Sequence, residues 1–343
     1  MPIHTYLIEM LECPACHGKL DWTVIKEGKK RIEEGEASCS ACDTVYTIRE
    51  GIGLFLTPDL PRNDLWEQMD SGLIQHVKEH PELERQLMDV PLESLNPADQ
   101  FFRSDVLESY GKYREAKDVE DLANSRLYEK EYMDCWNSEQ DHLIGQISET
   151  KGPVVDIASG KCYLVEKIVR KLKRPVVATD FSPNILRRNR KWLDSFDLYD
   201  HVSLLAFDAR RTPFKNSSVE ALTTNVGLPN IEEPGNLLKE LHRIVSGKFL
   251  AISHFLPEDD EENAKIIREA GLEAMVYRKK ALEEFNKAGW NVDVQNVCKS
   301  EAKPTATSEV IEGARIDGLP VADTIYEWCV LEATMTKLKN NSN

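Results

Sequence analysis

The sequence predicts an α/β fold built on an open parallel sheet. Three apolar runs, PVVDIASGK, RPVVATDFS and HVSLLAFDA, have the length and β-branched composition of buried parallel strands, and a helical or loop pattern follows each one. The runs contain Asp156, Asp180 and Asp208 at their strand ends. Because ligands bind beyond the carboxyl ends of the strands in such sheets, the three carboxylates predict one shared binding crevice.

The turn after the first strand and the two later aspartates predict a nucleoside site. Residues 158–160 are small, and the amphipathic helix YLVEKIVRKLKR follows them, so a ligand can approach the backbone closely. Asp180 lies 24 residues after Asp156, at a strand end where an acid can accept both hydroxyls of a ribose. Asp208 opens the polar loop DARRTPF, which carries one apolar anchor, Phe214.

Taken in order, these motifs resemble those of the class I S-adenosylmethionine-dependent methyltransferases, with their D-x-G-x-G-x-G turn, an acid after the second strand and D-A-x-x-x-P-F after the third. The likeness covers roughly residues 150–335. ALTTNVGLPNIEEPGNLLKELHRIVSGKFLAISHF resembles the fourth and fifth strands, and KALEEFNKAGWNVDVQNV and YEWCVLEATM resemble the last helix and the last two strands. The resemblance implies a Rossmann-like, seven-stranded domain that binds S-adenosylmethionine.

The resemblance also implies which residues bind the cofactor. Asp180 is expected to hold the ribose, Asp208 to contact the adenine, and Asn225 to shape the pocket near the methyl group. Ala158 and Cys162 stand where the family has glycines, and the Cys162 side chain narrows the space beside the methionine part of the cofactor. Cys162 is expected to be a small buried filler, with a reactive thiol as the alternative. The predicted cofactor-binding residues are Asp156, Ala158, Ser159, Gly160, Asp180, Phe181, Asp208, Ala209 and Asn225.

Two segments bear on the methyl acceptor. NVGLPNI, after the fourth strand, differs from the N/D-P-P-Y/F set of amino-directed nucleic-acid enzymes, which counts against N-methylation of adenine or cytosine. His254, at the end of the ISHF strand, is the best-placed candidate for a general base, although a histidine there is more often a structural hydrogen-bonding residue. The insertion at 298–324 is too long for a tight turn and either borders the substrate cleft or forms a surface loop.

Four of the eight cysteines form a metal-binding pattern near the N-terminus. CPAC and CSAC are separated by 22 residues, and two such pairs supply four thiolates for a structural zinc ion. A module of about 55 residues has almost no core without its metal, so Zn²⁺ is expected here rather than disulfides. The predicted ligands are Cys13, Cys16, Cys39 and Cys42.

The ribbon sequence also resembles a known family. LECPACHGKL, the second cysteine pair and VYTIREGIGLFL are similar to the small zinc-ribbon family that includes the activator subunit of several RNA and protein methyltransferases. A related ribbon precedes the methyltransferase domain in bacterial enzymes that methylate a guanine of large-subunit ribosomal RNA. The resemblance therefore implies two further hypotheses: methylation of guanine in ribosomal or transfer RNA, and a protein partner bound through the ribbon.

A helical connector is predicted between the ribbon and the sheet. Patterns such as DLWEQMDSGLIQHVKEH are helical, and residues 57–150 contain 22 acidic against 9 basic residues. The aromatic content argues against disorder and favours a cap over the active site. Tyr128, Tyr132 and Trp136 are expected either to line the cofactor site or to pack the helix onto the sheet.

The charge distribution bears on the class of acceptor. The chain has a formal net charge of −16, with −13 in 57–150 and +7 in 151–215. An RNA-binding enzyme normally offers an electropositive surface, whereas basic residues cluster here only at 170–174, 187–191 and 210–211. These clusters are expected to be solvated helix faces that balance the acidic cap. A small-molecule or protein acceptor is therefore favoured over nucleic acid.

The sequence thus predicts a cytoplasmic S-adenosylmethionine-dependent methyltransferase in three parts. They are a zinc ribbon at 1–56, a helical connector or cap at 57–149 and the methyltransferase domain at 150–338. The sequence shows no secretory signal and no apolar stretch long enough to span a bilayer, so no membrane association is expected. The alternatives are an RNA guanine methyltransferase and a non-catalytic, cofactor-binding scaffold whose ribbon recruits a partner.

Overall fold

The predicted order of ribbon, connector helices and α/β domain is present in the computed structural model, which describes residues 5–28, 31–57, 59–60 and 72–335. Part of the predicted connector, including Trp66, lies outside the described residues. The strands are β1 (Leu20–Glu27), β2 (Ile32–Cys39), β3 (Val45–Arg49), β4 (Ile52–Leu54), β5 (Val154–Asp156), β6 (Val176–Asp180), β7 (Val202–Ala206), β8 (Val219–Asn225), β9 (Val245–Phe255), β10 (Trp290–Ala302) and β11 (Thr324–Met335). The helices are α1 (Tyr6–Met10), α2 (Gly72–Glu79), α3 (Pro81–Met88), α4 (Pro97–Ser109), α5 (Tyr113–Leu127), α6 (Lys130–Ile147), α7 (Tyr163–Leu172), α8 (Pro183–Ser195), α9 (Pro234–Ile244), α10 (Glu261–Glu269), α11 (Glu273–Val276) and α12 (Arg278–Lys287).

The strands form one mixed sheet in the order β1-β2-β3-β4-β7-β6-β5-β8-β9-β11-β10. Strands β4 to β9 pair in parallel from β4 across to β9, and β11 and β10 are added antiparallel. Successive residues face opposite layers, so Val155 packs in one core cluster and Val154 in another. Both faces are covered, which explains why β6 and β7 are buried along their whole length.

The ribbon and the α/β domain share this sheet. Strand β4 pairs in parallel with β7, with Ile52 opposite Leu204 and Leu54 opposite Ala206. The predicted count of seven strands therefore applies only to β5–β11, because the ribbon extends the sheet to eleven. The physical reason is that β7 would otherwise expose a row of unpaired backbone donors and acceptors at the sheet edge.

A buried arginine holds the ribbon against this edge. The Arg31 guanidinium lies 3.3 Å from the centroid of the Tyr199 ring. It donates to the carbonyl oxygens of Tyr199 at 2.6 Å and Val202 at 3.2 Å. Only 6% of Arg31 is exposed. Its contacts with the Tyr199 ring and with the two carbonyl oxygens therefore depend on how the ribbon packs against the α/β domain.

The connector is helical, as predicted, and its last helix crosses the sheet. Helix α6 packs on β9, β10 and β11 and buries Leu143, Ile144 and Ile147. A disulfide between Cys135 on α6 and Cys298 on β10 joins the two elements, and no local sequence pattern predicts this pairing. No helix in the described part of the chain is both long and apolar enough to cross a membrane.

Candidate active site

The predicted site residues meet at the carboxyl edge of the sheet. The strand order reverses at β5, and backbone hydrogen bonds join the neighbouring strand ends there. Ser159 N donates to Thr179 O at 2.8 Å, and Phe207 N donates to Asp180 O at 3.2 Å. The structure therefore brings the turn at 158–160, the end of β6 and the loop after β7 to the crevice expected from the sequence.

Asp180 is fixed at the centre of this crevice. One carboxylate oxygen accepts the Gly160 N–H at 3.1 Å, and the other accepts the Ser182 N–H at 3.0 Å. Its two oxygens offer about four acceptor positions, so the orientation is compatible with ribose hydroxyls as additional donors. Phe181 beside it is half-buried, and Ala209, in the loop after β7, packs against the core.

Asp156 is buried beneath the turn. It is 1% exposed and accepts a hydrogen bond from Thr223 Oγ1 at 2.6 Å. Burial raises its pKa to about 7, and the neighbouring Asp180 adds to the increase, whereas hydrogen bonds from Thr223 and Ser159 oppose it. Its carboxyl group thus ties β5 to β8, which supports the turn from below.

The two residues that replace family glycines have left-handed backbones. Ala158 has φ +50° and Cys162 has φ +66°, a conformation that glycine adopts without steric cost. The Ala158 methyl group lies close to Gly227. A Cβ atom added to Gly227 would be only 2.7 Å from that methyl group. Cys162 is completely buried, and burial raises the pKa of its thiol well above the usual value. This favours the buried filler over the reactive thiol.

Buried ion pairs join the acidic connector to the residue after the turn at 158–160 and to α8. Lys161, directly after the turn at 158–160, donates to Asp105 at 2.7 Å and to Glu120 at 3.3 Å. Arg188 on α8 donates to Glu108 at 2.6 Å and to the Lys161 carbonyl oxygen at 3.1 Å. The sequence showed the opposite charges of the two segments, but it did not identify these pairs.

Asp208 has a close cationic neighbour. Its oxygens accept the backbone N–H of Arg210 at 2.9 Å and the guanidinium of the same residue at 2.8 Å. The guanidinium also donates to Glu233 at 2.8 Å. Arg210 therefore orients the carboxylate that was predicted to contact adenine.

Helix α6 covers the end of β8. Trp136 Nε1 donates to Asn225 Oδ1 at 2.9 Å, and the indole packs edge-on to Tyr163 at the start of α7. Tyr132 lies one turn earlier on α6 and stacks on Tyr128, which directly precedes the helix, with ring centroids 4.7 Å apart. These contacts show the packing role, and the cofactor-lining role stays a prediction.

A cavity of about 330 Å³ opens beside these tyrosines. It lies between the connector, the end of β9 and the insertion at 298–324, so the insertion borders it. We call it the tyrosine cavity. Its lining includes Tyr128, Tyr132, His254, Lys303, Asp317 and Tyr326.

His254 lies on the wall of the tyrosine cavity. Its imidazole stacks on Tyr326 with ring centroids 4.2 Å apart, and Nδ1 has no hydrogen-bond partner among the described residues. Burial lowers the pKa of His254 to about 4, so the ring is neutral at physiological pH. A neutral imidazole can accept or donate a hydrogen bond, although a pKa this low makes it a weak general base.

The basic clusters are largely paired with acids. Arg190 lies 3.6 Å from Glu33 of the ribbon, and Lys171 lies 2.7 Å from Asp141 of the connector. Further pairs at the same clusters are Arg170–Glu166, Arg188–Glu108, Arg210–Asp208 and Arg211–Asp59. Lys171, Arg188 and Arg211 pair with connector residues, as expected. The expectation of solvated side chains is wrong for Arg188 and Arg210, because packing buries both around their ion pairs.

The four ribbon cysteines converge. Their Sγ atoms all lie within 4.8 Å of one another, with Cys13 and Cys42 at 3.7 Å and Cys16 and Cys39 at 3.4 Å. A tetrahedral zinc ion with Zn–S bonds of about 2.3 Å would separate its thiolates by about 3.8 Å. The cluster therefore fits a closed, four-thiolate zinc ion.

Comparison with known families agrees with this architecture. Residues 154–247 match the family described as a methyltransferase domain. This confirms the predicted class I S-adenosylmethionine-dependent methyltransferase domain. Residues 4–51 match the family described as Trm112p-like protein, so the chain carries a Trm112p-like ribbon in front of that domain.

Curated relatives match over part of their length. A ubiquinone/menaquinone biosynthesis C-methyltransferase of Rickettsia prowazekii (strain Madrid E) is 24% identical over 33% of this chain and 48% of that protein. The protein of the same description from Rickettsia bellii (strain OSU 85-389) is 25% identical over the same shares. The chain thus spans about half the length of these relatives. A solved geranyl diphosphate C-methyltransferase of Streptomyces coelicolor A3(2) is 13% identical, with a TM-score of 0.44 over 58% of this chain and 78% of that one.

Proposed function

We propose that this protein transfers the methyl group of S-adenosylmethionine to a small molecule held in the tyrosine cavity. The observation that carries the proposal is that neighbouring turns of α6 contact the crevice and the cavity. Trp136 contacts Asn225 at the crevice, and Tyr132, four residues earlier and hence on the same helical face, lines the cavity. An acceptor in the cavity would therefore lie beside the end of β8, where the family binds the reactive methyl group.

The residues of the chain would serve mainly to align the two substrates. S-adenosylmethionine supplies an activated methyl group, so orientation and exclusion of water are the principal tasks of the protein. Asp180 would accept hydrogen bonds from the ribose, Asp208 would face the adenine, and the turn at 158–160 would lie against the methionine part. Trp136 and the connector helices would keep water from the crevice.

Two observations support a small molecule over RNA. Glu33, Glu108 and Asp141 pair with Arg190, Arg188 and Lys171, so part of the positive charge that could attract a nucleic acid is neutralised. The tyrosine cavity has the size of a small-molecule site and lies between packed elements. The curated relatives are described as C-methyltransferases of quinone biosynthesis, which also act on small molecules.

We propose in addition that Cys13, Cys16, Cys39 and Cys42 bind a structural zinc ion. A closed set of four thiolates leaves no open position for catalysis, so the ion would stabilise the ribbon and take no part in methyl transfer. Through β4 it would also stabilise the edge of the main sheet.

The acceptor class is tested with S-adenosylmethionine that carries a radiolabelled methyl group. The full chain is incubated with separate small-molecule, protein and RNA fractions of a cell extract. We expect label in the small-molecule fraction, loss of labelling with Asp180→Asn, and retention with Asp194→Asn, an exposed residue on α8. Labelling confined to RNA or protein would contradict the small-molecule acceptor, and transfer to no fraction would favour the scaffold.

A further inference from the structure

The walls of the tyrosine cavity are formed by two stacked ring pairs from different parts of the chain. Tyr128 and Tyr132 come from the connector, and their ring planes are inclined by 12°. His254 and Tyr326 come from β9 and β11, and their planes are also inclined by 12°. The ring centroids of Tyr132 and Tyr326 lie 6.1 Å apart, so this contact connects the two pairs. Flat, π-rich walls favour a ligand that is itself flat or cationic.

The charge of the lining distinguishes these two classes of ligand. The His254 imidazole is neutral, so it does not attract an anion. Burial raises the pKa of Asp317, which opposes its ionisation, and its carboxyl group already accepts a hydrogen bond from Tyr128 at 2.8 Å. At the rim, Lys303 and Glu129 neutralise each other at 2.7 Å. Arg126 and Glu301 also line the cavity and carry opposite charges. Apart from Asp317, the charged side chains of the lining therefore sum to zero and favour neither a cationic nor an anionic ligand.

The cavity nevertheless provides polar groups in its wall. His254 lines the cavity, and its buried Nδ1 makes no hydrogen bond with any described residue. Asp317, in the insertion, also lines the cavity. A ligand that is apolar on its faces and polar at its edge would match this distribution.

We propose that the tyrosine cavity selects an uncharged, planar aromatic acceptor that carries a hydroxyl group. The ring lies against the tyrosine faces, and the hydroxyl group forms a hydrogen bond with the His254 imidazole. This substrate class rests on the proposed function, because it assigns the cavity to the methyl acceptor. In this assignment His254 is a substrate-binding residue whose partner is the hydroxyl group of the acceptor.

The test is a calorimetric titration of the full chain with 2-naphthol, in the presence of S-adenosylhomocysteine. Phenyltrimethylammonium and 2-naphthoate serve as cationic and anionic comparators. We expect 2-naphthol to bind at least tenfold more tightly than either. Tighter binding of the cation or the anion, or no binding of 2-naphthol, would overturn the proposal.

Variants separate the contribution of each wall. Tyr132→Leu should weaken 2-naphthol binding about tenfold, whereas Tyr110→Leu, at an exposed tyrosine outside the cavity, should not change it. His254→Phe keeps a ring in the stack and removes both nitrogens, so it should weaken 2-naphthol about tenfold and its methyl ether less than twofold. Equal losses for the two ligands would overturn the role of the imidazole.

A parallel titration with S-adenosylmethionine tests the proposed methyl transfer separately from the proposed class of acceptor. The cavity variants should bind the cofactor within twofold of the wild-type chain. Cofactor binding without 2-naphthol binding would overturn the substrate class and leave the proposed methyl transfer standing. Absence of cofactor binding in the wild-type chain would contradict the proposed function itself.

Discussion

Ala158 shows how a single side chain can impose strain on a cofactor turn. Its φ of +50° costs an L-residue roughly 1–2 kcal/mol relative to glycine. We expect Ala158→Gly to raise the free energy of unfolding by up to about 1 kcal/mol after the entropy of the more flexible unfolded chain is included. Urea unfolding monitored by fluorescence measures the difference.

Ala264 provides the matched control, because it lies inside α10 with an ordinary helical backbone. The same substitution there should lower the free energy of unfolding by about 1 kcal/mol. If Ala158→Gly and Ala264→Gly destabilised the protein equally, the turn at 158–160 would not be strained.

Glu139 on α6 carries a buried carboxyl group that destabilises the folded chain when it is ionised. It is completely buried, and neither carboxylate oxygen has a hydrogen-bond partner among the described residues. Burial raises its pKa from 4.5 to about 7, and the nearby Asn296 side chain opposes the increase. The contribution of Glu139 to stability is therefore full below pH 4.5 and is lost as pH rises towards 7. We expect Glu139→Gln to exceed the wild type in stability at pH 8 by about 2 kcal/mol in urea unfolding.

The dependence of the free energy of unfolding on pH tests whether the Glu139 carboxyl group causes this difference. Asp156 has its raised pKa in the same range and remains in both proteins, so the comparison isolates Glu139. Glu131→Gln, at an exposed position on the same helix, should retain the wild-type profile. Parallel profiles for the wild type and Glu139→Gln would contradict an unpaired carboxyl group.

Lys161 holds the connector helices α4 and α5 against the turn at 158–160. Lys161→Met would leave Asp105 and Glu120 buried without their cation, at a cost of about 3–5 kcal/mol. We expect this loss in urea unfolding, together with weaker binding of S-adenosylmethionine, because α4 and α5 would no longer fix the turn.

Lys117→Met is the control, since its ion pair with Asp121 is partly exposed and should contribute at most about 1 kcal/mol. Combining Lys161→Met with Asp105→Asn and Glu120→Gln should recover part of the stability, because the unpaired charges are removed. A Lys161→Met protein as stable as Lys117→Met would exclude a structural role for the buried pairs.

The ribbon and the α/β domain share one sheet, so they should unfold together. We expect Cys39→Ser to abolish the bound zinc and to lower the melting temperature of the main calorimetric transition, because β4 completes the edge of β7. His17→Ala, at an exposed residue beside the cluster, should retain the metal. An unchanged main transition in the metal-free Cys39→Ser protein would show that the ribbon is an independent unit.

For the whole molecule, features with a local signal could be predicted from sequence. The strand ends at Asp156 and Asp180 follow apolar runs, and the four ribbon cysteines follow a fixed spacing, so both were recognisable without long-range information. The pairing of β4 with β7 and the contact of Arg31 with Tyr199 depend on residues about 150 positions apart or more. No local pattern marks such contacts, since only packing of the complete chain selects the partner.

We expect the crevice to bind S-adenosylmethionine through Asp180. The most direct measurement is a calorimetric titration of the zinc-loaded full chain with this cofactor. We predict saturable binding by the wild-type protein, at least about tenfold weaker binding by Asp180→Asn because hydrogen bonds to a charged acceptor are lost, and wild-type affinity for Asp194→Asn. No binding by the wild-type chain at millimolar cofactor, or equal binding by Asp180→Asn, would contradict the claim.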